Sequence, residues 1–372
     1  MRNGWLRDAG LAAAALALFV GLELSGFGSS SVLDFAIRFS IFGLLALSLN
    51  LLIGTTGLVS FGHAAYFAMG AYSFGLLMQR ADIPIPFAIR FATFGLLALS
   101  LNLLIGTTGL VSFGHAAYFA MGAYAFGLLM QRAGLSLPLA ILLALGCTAL
   151  LALVVGALCV RLSEIYFAFL TLAFQMLLHS VILSWISLTG GDQGLMGGIP
   201  KPPFLGIDLS RPLHLAGFGM ACLLVSTVAL RQVVRSPFGA ALRMLRDNPD
   251  RAAFVGLSVY RYRLAAFVIA GTFAGLGGVL MSLYVSGAFP TFAFWTTSGE
   301  AIFMIMLGGV TVFLGPLVGV AIFLILNDRI TAVTEHHGLF LGIILLVIVL
   351  GLRKGLLDFV LDHWRGRRGA SP

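Results

Sequence analysis

Ionisable and amide side chains are rare in this sequence, so the few inside apolar runs are where any chemistry would have to occur. Asn50, Ser60 and His63 form one such group, and Asn102, Ser112 and His115 repeat it 52 residues later. Glu164, Gln175, His179 and Glu300 stand singly in other apolar runs. In hydrocarbon such groups cost free energy unless paired, and by default they mark a solute path or a contact between helices. The two histidines read as helix-to-helix hydrogen-bonding groups rather than metal ligands. Glu300, with Ser298 just before it, either lines a path or faces headgroups. His336 and His337 sit in a short loop and read as solvated. Cys147, Cys159 and Cys222 are an odd number in apolar stretches, which fits packing residues and not a disulfide framework or metal cluster. There is no G-x-x-x-x-G-K-[ST] phosphate loop; the nearest string, Gly351-Leu352-Arg353-Lys354-Gly355, does not fit. No residue is singled out for catalysis, cofactor binding or metal binding.

The elements that position these groups are set by composition. Of 372 residues, 60% are hydrophobic and 10% charged, and the mean hydropathy is +1.04. Soluble domains carry roughly 25% charged residues. Lipid is therefore the solvent for most of this chain. The formal charge of +8 comes from basic residues that flank apolar runs, so it reports membrane topology and not nucleic-acid binding. Arg2 and Arg7 precede an apolar run over 9–20 without a clear cleavage site after it, which favours a retained first helix over a signal peptide.

The segment 35–86 recurs as 87–138, with 45 of 52 positions identical. Solenoids need at least about three units, and the internal repeats of transporters are faint. Near-identity instead suggests a recent tandem duplication or an error in the source sequence. Each unit carries two apolar stretches, so an extra copy leaves the direction of all later spans unchanged. Further apolar runs lie at about 138–160, 163–187, 213–230, 264–285, 299–327 and 338–352. The run 299–327 is broken by Gly308-Gly309 and Gly315-Pro316, giving two short spans or a re-entrant pair. The expected fold is an all-α polytopic bundle of about 10–12 membrane segments, a single domain over 1–372. The stretch 231–263 holds seven arginines, and the tail adds Arg353, Lys354, Arg365, Arg367 and Arg368, whereas 188–213 has only Lys201 and Arg211. That bias puts the 231–263 loop and both termini in the cytoplasm.

Within that loop, Ser236 reads as an N-cap and Pro237 as a first helical residue. Phe238, Ala241, Leu242 and Leu245 then share one face, with Arg243 and Arg246 off it, and Asn248-Pro249 ends the helix. A short amphipathic helix must rest its apolar face on something. Lipid interface is one candidate; a groove on a cytoplasmic partner is the favoured one. Gly54–Gly57 and its copy Gly106–Gly109 mark helix breaks, where glycines serve tight turns and close packing.

The segment SPFGAALRMLRDNPDRAAFVGLSVYRYRLAAFVIAGTFAGLGGVL (236–280) resembles the coupling-helix region of branched-chain amino-acid ABC transporter permeases. LALSLNLLIGTTGLVSFGHAAYFAMGAY, LSEIYFAFLTLAF (162–174), SLTGGDQGLMGGIP (187–200) and GEAIFMIMLGG (299–309) extend the resemblance in order over nearly the whole chain. The resemblance implies an inner-membrane permease subunit with no ATP site of its own. It would pair with a second related permease, two ABC ATPase subunits and a periplasmic substrate-binding protein, with membrane lipid around it. It further implies that Ser236, Pro237, Phe238, Gly239, Leu242, Arg243, Leu245, Arg246 and Asp247 form the ATPase-coupling helix. Thr189, Gly190, Gly191, Asp192 and Gln193 would form a flexible loop where the binding protein docks. Asn50, Asn102, Ser60, Ser112, His63, His115 and Glu300 are the translocation-path candidates. Urea, amides or another small polar solute on the same machinery is the nearest alternative, a secondary transporter a more distant one. The chain departs from the family in its surplus 52-residue unit, so assignments there apply to either copy. It also departs in carrying Val310-Thr311-Val312-Phe313 where the family has a further Gly and Thr.

Overall fold

The structure is a computed structural model and describes residues 84–162, 164–196, 198–201 and 208–332, with 339, 340, 342, 343, 346 and 355. The described residues fall in one compact unit drawn from 84–204 and 208–372; a second unit, 1–83 with 205–207, lies outside them. Asn50, Ser60 and His63 are therefore outside the described residues, as is most of the run 338–352.

Helices account for nearly all of the described chain. They are α1 (Ile85–Thr108), α2 (His115–Arg132), α3 (Leu137–Cys159), α4 (Glu164–Ser184), α5 (Pro212–Arg235), α6 (Pro237–Asp247), α7 (Pro249–Phe254), α8 (Val259–Val285), α9 (Trp295–Gly308) and α10 (Gly315–Thr331). A single helical turn, Ile186–Thr189, follows α4. Six of these helices, α1, α3, α5, α6, α7 and α10, carry proline at one of their first two positions. There the missing N–H has no intrahelical partner to lose, so each proline starts a helix instead of breaking one. No strand is present among the described residues, only an isolated bridge between Leu195 and Ala288.

Five helices are long and apolar enough to cross a membrane: α1, α3, residues 165–184 of α4, α5 and α8. Helix α8 is the hub, packed on α1, α2 and α3. Its approach to α2 requires glycine: a Cβ on Gly278 would strike the carbonyl oxygen of Phe119, and one on Gly122 would strike that of Gly275. Without a hydrophobic drive between helices in lipid, such backbone approach supplies the attraction through van der Waals packing. Helix α1 is buried on almost every side from Gly95 to Leu104. By contrast α3, α4 and α5 leave Leu142, Leu150, Ile165, Phe169, Leu224 and Val225 exposed. Those are the sides that suit lipid.

The interrupted run at 299–327 resolves into α9 and α10, two short helices whose backbones touch at Gly308, Gly315 and Gly319. Asp328 of α10 pairs with Arg90 near the start of α1, and the turn between the two helices brings the Val310 carbonyl beside Gly106 near the end of α1. The stretch of α1 between those markers is about 24 Å at 1.5 Å per residue, most of a hydrocarbon core of about 30 Å. The pair thus runs most of the way along α1, as two short spans would.

Candidate functional site

Three places hold the residues singled out above. The first is α6. Ser236 caps it, its hydroxyl accepting from Gly239 N at 3.3 Å and donating to Val233 O at 2.7 Å. The face carrying Phe238, Ala241, Leu242 and Leu245 is turned into the chain's own bundle: Leu242 and Leu245 are fully buried, and Phe238 stacks on Tyr262 at 5.6 Å. This corrects the expectation that the apolar face seats in a partner. Once α1, α5 and α8 cover it, the open face is Pro237, Ala240, Arg243, Met244 and Asp247. Just beyond, Phe254 and Val255 are 91% and 66% exposed, an apolar tip left uncovered by the described residues.

Two arginines tie α6 to the ends of longer helices. Arg246 Nη1 donates to Gly106 O at 2.6 Å, and Arg243 Nη1 donates to Val234 O at 2.8 Å. The last carbonyls of a helix have no intrahelical donor, and their partial negative charge favours a cation. Helix α1 has no basic residue in its own last turn, so Arg246 supplies one from 140 residues away. The sequence pattern places Arg243 and Arg246 off the apolar face and does not show what they hold. The one available signal was that α1 ends in Gly-Thr-Thr-Gly without a charge of its own.

The second place lies inside the bundle. Ser100 donates to Leu97 O at 2.8 Å and lies 3.0 Å from His115 Nε2. Next along α2, Ala116 N donates to Ser298 Oγ at 2.8 Å, and Ser298 donates in turn to Gln175 Oε1 at 2.7 Å. Four helices, α1, α2, α4 and α9, are joined by this chain of bonds, and Ser100, His115, Gln175 and Ser298 are all fully buried. His115 and Ser112 are 0% exposed and Asn102 is 5%. His115 therefore behaves as the helix-to-helix group the sequence suggested. No group of three or more metal-ligating side chains occurs among the described residues. Glu300, the remaining path candidate, sits half-buried on α9, two residues after Ser298.

The third place is the connection after α4, at the end of the bundle opposite α6. Thr189 is buried and donates to Ile182 O at 2.5 Å and Trp185 O at 2.9 Å. Gly190, Gly191 and Gly194 all have positive φ, at 79°, 59° and 70°, values L-residues rarely adopt. Leu195 N donates to Ala288 O at 2.8 Å and Ile199 N to Ser286 O at 3.2 Å. Arg132, at the end of α2, donates to Ser187 O at 2.6 Å and Leu188 O at 3.1 Å. The glycines thus build a folded turn fastened at both flanks, not the flexible contact expected; Asp192 and Gln193 are its exposed tips. Nearby, the backbone N–H of Ser210 donates to Asp208 Oδ1 at 2.9 Å, and that bond holds the Asp208 carboxyl below its usual range.

An all-helical bundle with five apolar helices of membrane-crossing length is the architecture of a multi-pass membrane protein. The chain belongs to the family described as "Branched-chain amino acid transport system / permease component", whose model matches residues 31–89 and again 83–349. The second match begins one residue before the described unit, which starts at Pro84, and takes in the second repeat copy whole. Among similar proteins, the high-affinity branched-chain amino acid transport system permease protein LivM of Escherichia coli K12 is 28% identical over 303 residues, 74% of this chain and 70% of LivM. LivM of Salmonella typhimurium is 27% identical over 328 residues, 81% of this chain and 76% of its own length. The autoinducer 2 import system permease protein LsrD of Escherichia coli K12 is 27% identical over 297 residues, covering 76% and 87%. No solved structure matches the chain.

Proposed function

We propose that this chain is one permease subunit of an ATP-driven importer that moves branched-chain amino acids delivered by a periplasmic binding protein. The observation that carries the proposal is the way α6 is fastened. Its arginines grip the ends of α1 and α5 while its outer face stays open. A separate ATPase subunit would dock on Pro237, Ala240, Arg243, Met244 and Asp247, with Phe254 and Val255 beside them, so that closure of the nucleotide-bound dimer pushes on α6. The push reaches two membrane helices directly and drives alternating access. The 231–263 loop and both termini would be cytoplasmic, and the turn at Thr189–Gln193 would face the binding protein. A second related permease would complete the route, the whole chain 1–372 serving as one permease domain.

The relatives' names support the amino-acid reading, while the match to LsrD supports the same machinery carrying another small polar solute. Reconstitution of the tagged chain with co-purifying subunits tests both. Uptake of leucine, isoleucine or valine that requires ATP and the binding protein is expected. Uptake by the chain alone on an ion gradient would point to a secondary transporter and sink the proposal. Strict preference for urea, an amide or a sugar would keep the machinery and change the solute.

A further inference from the structure

The helical turn Ile186–Thr189, at the end of the bundle opposite α6, is too short to hold itself, since a helix gains from its hydrogen bonds only after the costly first turn. What fixes it comes from its neighbours. Thr189 ties it back toward α4, its own stem, through Ile182 O and Trp185 O. Arg132 ties it to α2. Its Nη2 alone donates to Ser187 O at 2.6 Å and to Leu188 O at 3.1 Å, carbonyls at the end of a helical turn, where intrahelical donors run out. Gln131 adds a longer bond to Gly198 O at 3.4 Å. On the far flank, Leu195 N and Ile199 N donate to Ala288 O and Ser286 O, just past the end of α8.

Helix α2 is 18 residues long, about 27 Å at 1.5 Å per residue. Its other end is fastened inside the bundle, where Ala116 N donates to Ser298 Oγ at 2.8 Å. We propose that Arg132 is a positioning residue for docking of the substrate-binding protein. By holding Ser187 and Leu188 against the end of α2, it fixes where the adjoining Ile186, 70% exposed, and the exposed tips Asp192 and Gln193 stand when the partner arrives. The turn is then ordered before binding, and affinity is not lost to ordering it. This rests on the importer reading, with the turn as the docking place, and adds the residue that sets the fit.

The test measures ATP hydrolysis by the complete reconstituted complex against binding-protein concentration. In Arg132→Ala and Arg132→Gln the concentration giving half-maximal stimulation is expected to rise roughly tenfold, the size of one lost charged hydrogen bond. The rate at saturating binding protein should be kept. Arg132→Lys, which returns a cation with its donors on a single nitrogen, should recover most of the affinity. Gly190→Ala puts a Cβ against Gly194 O at a φ of 79°, so it remodels the turn itself and should shift the same midpoint. A midpoint unmoved in both Arg132→Ala and Arg132→Gln would overturn the assignment. So would a lower rate at saturation with the midpoint unmoved, the mark of a residue that serves stability alone. Asp192→Arg separates this from the docking reading. If it and Gly190→Ala both leave the midpoint unmoved, the binding protein docks elsewhere and the role of Arg132 falls too. If they move it and the Arg132 variants do not, docking stands and the role of Arg132 alone fails. A wild-type complex whose ATP hydrolysis ignores the binding protein would remove the importer reading first.

Discussion

Single side chains in this protein act mostly on backbone ends. Ser298 is the clearest case, accepting from Ala116 N and donating to Gln175 with no access to water. Ser298→Ala leaves a backbone N–H and an amide oxygen without that partner, each costing about 1–3 kcal/mol when buried. The expected result is a lower melting temperature of the purified chain in detergent, while Ser298→Thr, which keeps the hydroxyl, loses less. Arg246 is the functional counterpart. Arg246→Ala removes the donor to Gly106 O without touching the buried Leu242 and Leu245 face. We expect ATP hydrolysis by the complex to continue while uptake falls several-fold, a split measured by comparing phosphate release with transported solute. Equal loss of both rates would mean that Arg246 serves assembly alone.

Between helices, the decisive quantity is how close two backbones come. Gly278→Ala drives a Cβ into the Phe119 carbonyl, so α2 and α8 must separate; overpacking costs about 1–3 kcal/mol or more. The folded, monodisperse yield should drop. Gly146→Ala and Gly217→Ala, where nothing lies within 4 Å, should be neutral or stabilising by up to about 1 kcal/mol through helix propensity. This scale was the most readable in the sequence. The run at 138–160 became Leu137–Cys159, and that at 213–230 became Pro212–Arg235, because apolar length and helix-starting prolines are local properties. Less legible was which face meets what. Periodicity found the apolar stripe of α6 but assigned it to a partner, because a stripe carries no mark saying whether its cover comes from the same chain. The Arg246–Gly106, Ser298–Gln175 and Arg90–Asp328 links join residues 140, 123 and 238 positions apart, and no spacing rule reaches that far.

Across the whole chain, the repeat is the feature with the largest testable consequence. The described unit contains 87–138 intact, in contact with every long helix that follows it or with that helix's neighbours. A family match covers 83–349 without the first copy. Deleting 35–86 joins Asp34 to Phe87 in place of Phe35, so the junction is locally unchanged. The shortened chain is expected to insert and to support uptake at a rate near that of the full chain, read in cells lacking the native gene. Loss of membrane insertion on this deletion would show that the first copy is needed. The two arginine caps on α6 matter at this scale as well. Helices α1 and α5 pack along each other and are pinned to the same crossbar at one end. If α6 receives the stroke of an ATPase as proposed, these bonds would carry it into both helices together, and the compliance of the transport cycle would reside in the seams they make with the rest of the bundle.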